Sequence, residues 1–193
     1  MFGAVSPGTA LEAARAPRVT VAFLLYNAAD RVPSLVAGLV RQRHPSFSRA
    51  DEWMRAVFVD DASADGTAEA VRRELAARGS PAWCRLVVHA HNLGLARTLN
   101  ELFAEASTPF VLTCHLDCSF GRDDYVAAMV ELIEKTGDAA AISGQPVLPN
   151  AVELPLAEKL NVVANLMDVV PDAGTTPELV PVGFAEGRCN VFR

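Results

Sequence analysis

An α/β fold with a mainly parallel sheet and helices on both faces is predicted by two observations. Short apolar runs rich in β-branched and aromatic residues recur along the chain, and between them lie stretches with apolar residues at helical spacing. Strands that alternate with helices build parallel sheets, because each crossover helix returns the chain to the start of the next strand. A third observation concerns chemistry. Tyr26-Asn27, Asp60-Asp61-Ala62-Ser63 and His115-Leu116-Asp117 each follow an apolar run directly, so a parallel sheet gathers all three at one edge, where ligands of open α/β sheets bind.

The elements follow in order. Residues 1–17, with Pro7, Gly8 and Pro17, read as an irregular lead-in to a domain over 18–193. Val19 to Leu25 is a first strand ending at Tyr26-Asn27. Val32 to Arg41 carries Val32, Leu35, Val36, Leu39 and Val40 on one helical face. Trp53 to Val59 is a second strand, and Asp60 to Thr67 has turn and cap chemistry that starts a helix over Thr67 to Ala77, with Asp65 as its cap. Cys84 to His89 is a third strand. A helix then opens from Asn92-Leu93-Gly94 and runs to Glu105, with Asn92 placed to cap it. Phe110 to His115 is a fourth strand, Tyr125 to Lys135 a helix and Ala139 to Ser143 a fifth strand. Past Gly144 the pattern weakens: Glu158 to Val169 reads as helix, Pro171 to Pro177 as loop and Leu179 to Val182 as a further strand. No internal repeat or low-complexity segment interrupts this order.

Composition excludes several classes. With 193 residues and 51% hydrophobic content the chain can bury a sizeable core. A net charge of -6 with scattered Lys and Arg argues against a general nucleic-acid binder, whose affinity for phosphates needs clustered positive charge. No apolar run reaches the roughly 18 residues of a membrane span, and the first residues lack a charged region followed by an apolar one. A cytoplasmic setting is therefore expected. Cys84, Cys114, Cys118 and Cys189 form no Cys-x-x-Cys pair and read as buried reduced thiols. Cys114, His115 and Cys118 supply at most three ligands on a strand that alternates its faces, which suits a structural zinc site poorly. His44, His89 and His91 read as surface or satisfied histidines.

Read in sequence, four stretches resemble the motifs of the inverting family 2 glycosyltransferases of the GT-A fold. They are Val19 to Asn27, Val59-Asp60-Asp61-Ala62-Ser63-Ala64-Asp65-Gly66-Thr67, Asn92-Leu93-Gly94-Leu95-Ala96 with Asn100, and His115-Leu116-Asp117. The resemblance covers Arg18 to Gly144 and, more loosely, Val182 to Arg193, where Phe184 to Arg193 is similar to the segment preceding the family's base. It implies a nucleotide-diphosphate-sugar donor, a hydroxyl acceptor and transfer with inversion, in the synthesis of a cell-surface polysaccharide, glycolipid or glycoconjugate. Association with the inner face of the membrane is implied only through such an acceptor.

The resemblance also gives residues roles. Leu25, Tyr26, Asn27 and Asp60 line the base and ribose pocket, with the Asp60 carboxylate accepting from the base imide or a ribose hydroxyl. Asp61 and Ser63 shape the turn. Asn92 and Gly94 lie near the nucleotide, and His115 faces the ribose or a phosphate. Asp117 is the metal-binding carboxylate of the family's Asp-x-Asp signature, bridging Mg²⁺ or Mn²⁺ to the two phosphates; a hard divalent ion stabilises the charge gathered by a diphosphate leaving group. This sequence departs from the pattern in three ways. His115 stands where the first Asp is usual if Asp117 is the second, the register that the distance from Asp117 to the helix at Tyr125 favours, whereas Ser119 stands where the second is usual if Asp117 is the first. Leu99 stands where relatives carry an Arg, and Arg97, two residues earlier, is rotated by roughly 200° on a helix. The carboxylate that takes the acceptor proton is expected beyond Arg193, and Glu186, the one late carboxylate near that edge, reads instead as a loop residue touching donor or acceptor.

A non-catalytic nucleotide-sugar binding module is the alternative reading, motivated by the altered Asp-x-Asp and the base placed outside this chain. A nucleotidyltransferase normally has an early glycine-rich basic loop, and a dinucleotide oxidoreductase a Gly-x-Gly-x-x-Gly after the first strand; Leu24 to Asn27 offers neither.

Overall fold

The computed structural model describes residues 16–116, 120, 122–137, 139–143 and 189–193. Its elements are β1 (Val19–Leu25), α1 (Val32–Val40), β2 (Met54–Asp60), α2 (Thr67–Ala76), β3 (Cys84–Val88), α3 (Leu95–Glu105), β4 (Phe110–Cys114), α4 (Tyr125–Lys135), β5 (Ala141–Ser143) and β6 (Cys189–Phe192). The first eight agree with the sequence reading to within a few residues at their ends. The helix and strand expected over Glu158 to Val169 and Leu179 to Val182 lie outside the described residues.

One six-stranded sheet runs in the order β3-β2-β1-β4-β6-β5. The strands β1 to β4 are parallel, with Leu25 level with Asp60 and Phe23 level with Cys114. The sheet is thus mainly parallel, as expected, but β6 enters antiparallel between β4 and β5. The sequence reading did not anticipate that strand.

Strand order decides where the helices go. The chain steps from β1 to β2 to β3 in one direction, then returns across the sheet to β4 on the other side of β1. Right-handed crossovers therefore place α1 and α2 on one face and α3 on the other. Side-chain alternation matches: Val19, Val21, Phe23, Leu25, Met54, Ala56 and Phe58 meet α1, α2 and α4 in the main core. Inside it Phe23 and Phe58 stack with centroids 4.8 Å apart. Gln42, 3% exposed, joins two helices, accepting from the Val126 N–H at 3.0 Å and donating to the Arg122 carbonyl at 3.1 Å.

The second face is thinner. Ala22, Val59, Leu102 and Val111 form its small cluster beneath α3. Between α3 and strands β2 and β3 lies a cavity of about 260 Å³ whose lining includes Val57, Val87, His89, Thr98 and Glu101. Cys84 is half-buried at the start of β3, and burial pushes its thiol up to about 12.

Candidate donor site

The carboxyl ends of β1, β2, β3 and β4 lie side by side, bringing Tyr26-Asn27, Asp60-Asp61, His89 and His115 to one edge. The order reverses between β1 and β4, which is where an open α/β sheet leaves a crevice. Asp60 and His115 stand on strands that flank β1, two strand spacings or roughly 10 Å apart.

The β1–α1 and β2–α2 turns latch onto each other. Asn27 takes a left-handed conformation, φ 49°, that asparagine tolerates. Its N–H donates to Ser63 Oγ at 2.9 Å and its Oδ1 accepts from the Ala64 N–H at 3.1 Å. The next two amides continue the latch, Ala28 N–H to Thr67 Oγ1 at 2.8 Å and Ala29 N–H to Asp65 Oδ2 at 3.0 Å. These bonds consume the backbone and leave the Tyr26 ring 51% exposed above the edge.

Asp65 works beside the helix start: its Oδ1 accepts the Thr67 N–H at 3.1 Å, while Gly66, at φ 85°, occupies the cap position itself. The Thr67 hydroxyl, the Ala29 N–H and the Thr67 N–H hold the Asp65 carboxyl below the ordinary value.

Adjacent residues on a strand point to opposite faces, and this separates the two carboxylates that end β2. Asp60, 2% exposed, turns toward the α2 side, where its Oδ1 accepts from the Ser63 hydroxyl and from the Ser63 N–H at 3.3 Å. No hydrogen bond to Asp60 Oδ2 is found among the described residues. Asp61 turns toward the α3 side. Its Oδ1 accepts the Leu93 N–H at 2.8 Å and meets His89 Nδ1 at 2.8 Å, and its Oδ2 accepts the Gly94 N–H at 2.9 Å. Burial raises the Asp61 carboxyl, but the Leu93 N–H, the His89 ring and the Gly94 N–H outweigh it and leave it below the ordinary value. Between these neighbours and Ser63, Ala62 adopts φ 59°, a conformation strained for a residue with a β-carbon and no polar side chain.

Asn92 does not cap α3, contrary to the sequence reading. The cap position is Gly94, at φ 79° and ψ 160°, without a side-chain cap, and Asn92 is exposed. The Asp61 carboxylate instead holds the Leu93 and Gly94 amides, and the helix starts from Gly94, two residues past Asn92. Arg97 and Asn100 are exposed on α3, while Thr98 is buried. Leu25 is buried at the end of β1, and His115 is exposed one residue past β4. Asp117 and Glu186 lie outside the described residues.

The model for glycosyl transferase family 2 matches residues 20–153, more than half of the chain. The chain belongs to this family. Among solved structures, a mannosyltransferase from Pyrobaculum calidifontis, PcManGT, in complex with GDP-Man and Mn2+, superposes with a TM-score of 0.61 at 24% identity, over 91% of this chain and 44% of that one. S. aureus TarS 1-349 superposes with a TM-score of 0.52 at 19% identity, over 71% of this chain and 40% of that one, and TarS 1-349 is also known in complex with UDP-GlcNAc. The fold is therefore GT-A, and the family 2 chain spans less than half the length of these relatives. No curated protein matches it in sequence.

A divalent ion is part of the PcManGT complex. In this family 2 chain, no group of three or more His, Cys, Asp or Glu among the described residues is arranged to hold a metal. His115 stands at the β4 edge, and Asp117, the carboxylate the sequence reading assigns to an ion, lies outside the described residues. The sequence reading missed how Asp61 and His89 work: a loop 32 residues away hangs on one carboxylate, and local patterns carry no signal of that.

Proposed function

We propose that this chain binds a nucleotide-diphosphate-sugar at the Asp60 edge and is the donor-binding part of an inverting glycosyltransferase acting on a hydroxyl acceptor. The observation that carries the reading is Asp60: a carboxylate almost wholly buried at the end of a central strand, with one oxygen fixed by Ser63 and the other without a bond among the described residues. Oδ2 is not one of the buried side-chain atoms left without a partner, so it reaches solvent, and a base imide or ribose hydroxyl can take the place of water there. The exposed Tyr26 ring offers a flat apolar surface for a base, and the Gly94 turn brings backbone close to the nucleotide.

In this reading Leu25, Tyr26, Asn27, Asp60, Asn92, Gly94 and His115 form the donor pocket. Asp117 is the residue assigned to a Mg²⁺ or Mn²⁺ ion, which when bound neutralises charge on the diphosphate leaving group. The base that takes the acceptor proton is assigned beyond Arg193 rather than to Glu186. The acceptor belongs to cell-surface polysaccharide, glycolipid or glycoconjugate synthesis at the cytoplasmic side of a membrane. Among the described residues no helix is long and apolar enough to cross one.

Calorimetry with a panel of UDP-, GDP- and dTDP-sugars, each with Mg²⁺ or Mn²⁺, tests the reading. Heat of binding for at least one donor is expected. A folded chain that gives none with any of them overturns it.

A further inference from the structure

His89 lies one residue past β3, and its side chain is only 11% exposed. Its backbone N–H donates to the Asp60 carbonyl at 2.9 Å, Nδ1 meets Asp61 Oδ1 at 2.8 Å, and Nε2 stands 3.4 Å from Glu101 Oε2 on α3. The donor reading leaves this ring unused. Yet the carboxylate it touches is the one that fixes the Leu93 and Gly94 amides.

We propose that His89 is a positioning residue of the donor site, aligning Asp61 so that the Asn92–Gly94 turn keeps its form and tying that turn to α3 through Glu101. The loop-holding role stands on geometry alone; its effect on donor affinity rests on the reading of this edge as a donor pocket.

With the proton on Nδ1 the ring donates to Asp61 Oδ1, while Nε2 faces the Glu101 carboxylate across 3.4 Å. Asp61 from the end of β2 and Glu101 from α3 face the ring directly. Arg55 of β2, Arg85 of β3 and Glu105 of α3 line the same cavity, with Arg85 and Glu105 paired to each other.

The test combines amide hydrogen exchange at Leu93 and Gly94 with donor titration of the full chain, using GDP-mannose and UDP-GlcNAc in Mn²⁺. In His89→Ala both amides exchange about tenfold faster, amides of β1 stay protected, and donor affinity falls about tenfold, the scale of one lost charge-assisted bond. His89→Asn, whose amide N–H replaces Nδ1, restores protection at Leu93 and Gly94.

Unchanged exchange in His89→Ala, or a His89→Asn variant as open as the Ala variant, overturns the loop-holding role. If His89→Ala does not fold, His89→Gln, whose amide lies at the Nε2 position and not at Nδ1, must open both amides, and protection equal to the parent chain's overturns the proposal. A parent chain that binds neither donor while His89→Ala still opens the turn contradicts the donor-site reading and supports the loop role. Donor binding that His89→Ala leaves intact contradicts the inference alone.

Discussion

Asp60 ends β2 and Asp61 follows it directly, yet they serve opposite sides of the sheet. Asp60 faces the thick core side, where α1 and α2 fix the surroundings and one serine holds one oxygen. Asp61 faces the thin side, where α3 leaves a cavity and both oxygens are spent on the loop before that helix. On the dense side the carboxylate keeps one oxygen without a bond among the described residues, whereas on the sparse side both oxygens are spent holding a loop in place.

The largest effect that would sharpen this contrast is on stability. Asp61→Ala leaves the Leu93 and Gly94 amides and the His89 ring without their acceptor, and is expected to destabilise the chain by about 3 kcal/mol. Urea unfolding at unchanged m-value measures it. Asp60→Asn keeps an acceptor for Ser63, so it is expected to shift stability by less than about 1 kcal/mol while weakening donor binding more than about tenfold in calorimetry. Equal stability losses in the two variants would break the comparison.

The pH response separates them further. The folded Asp61 carboxyl lies below the ordinary carboxylate value, so it contributes stability that is present above pH about 3.9 and is lost as pH falls through the lower folded value. Unfolding midpoints measured from pH 5 downward should fall less steeply in Asp61→Asn than in the parent chain. The smallest effect is at the turn residue just after the two carboxylates. Ala62→Gly relieves a left-handed β-carbon and is expected to raise stability by about 1 kcal/mol in thermal unfolding.

Most of the sheet was legible because its signals are local. Val19 to Leu25 alternates with the spacing of Val32, Leu35, Val36 and Leu39, and those two periods alone give β1 and α1. The convergence of Tyr26-Asn27, Asp60 and His115 followed from parallel order without any structural knowledge. Strand β6 was not legible: Cys189 to Phe192 is four residues long with a buried Asn190, and it becomes a strand by pairing with β4, some 75 residues earlier in the chain. Asn92 misled for a related reason. Its type and place favour a helix cap, but Asp61 reaches across from the end of β2 to hold the Leu93 and Gly94 amides, and the helix starts from Gly94. Local chemistry proposes partners; the topology decides which of them arrives.

The most direct measurement is hydrogen exchange along the full chain with and without GDP-mannose or UDP-GlcNAc in Mn²⁺. Protection gained at Tyr26-Asn27, at Asp60 to Ser63 and at Asn92 to Gly94 is the predicted result. Donor that leaves those three segments unchanged, or protects only the cavity under α3, contradicts the assignment of this edge.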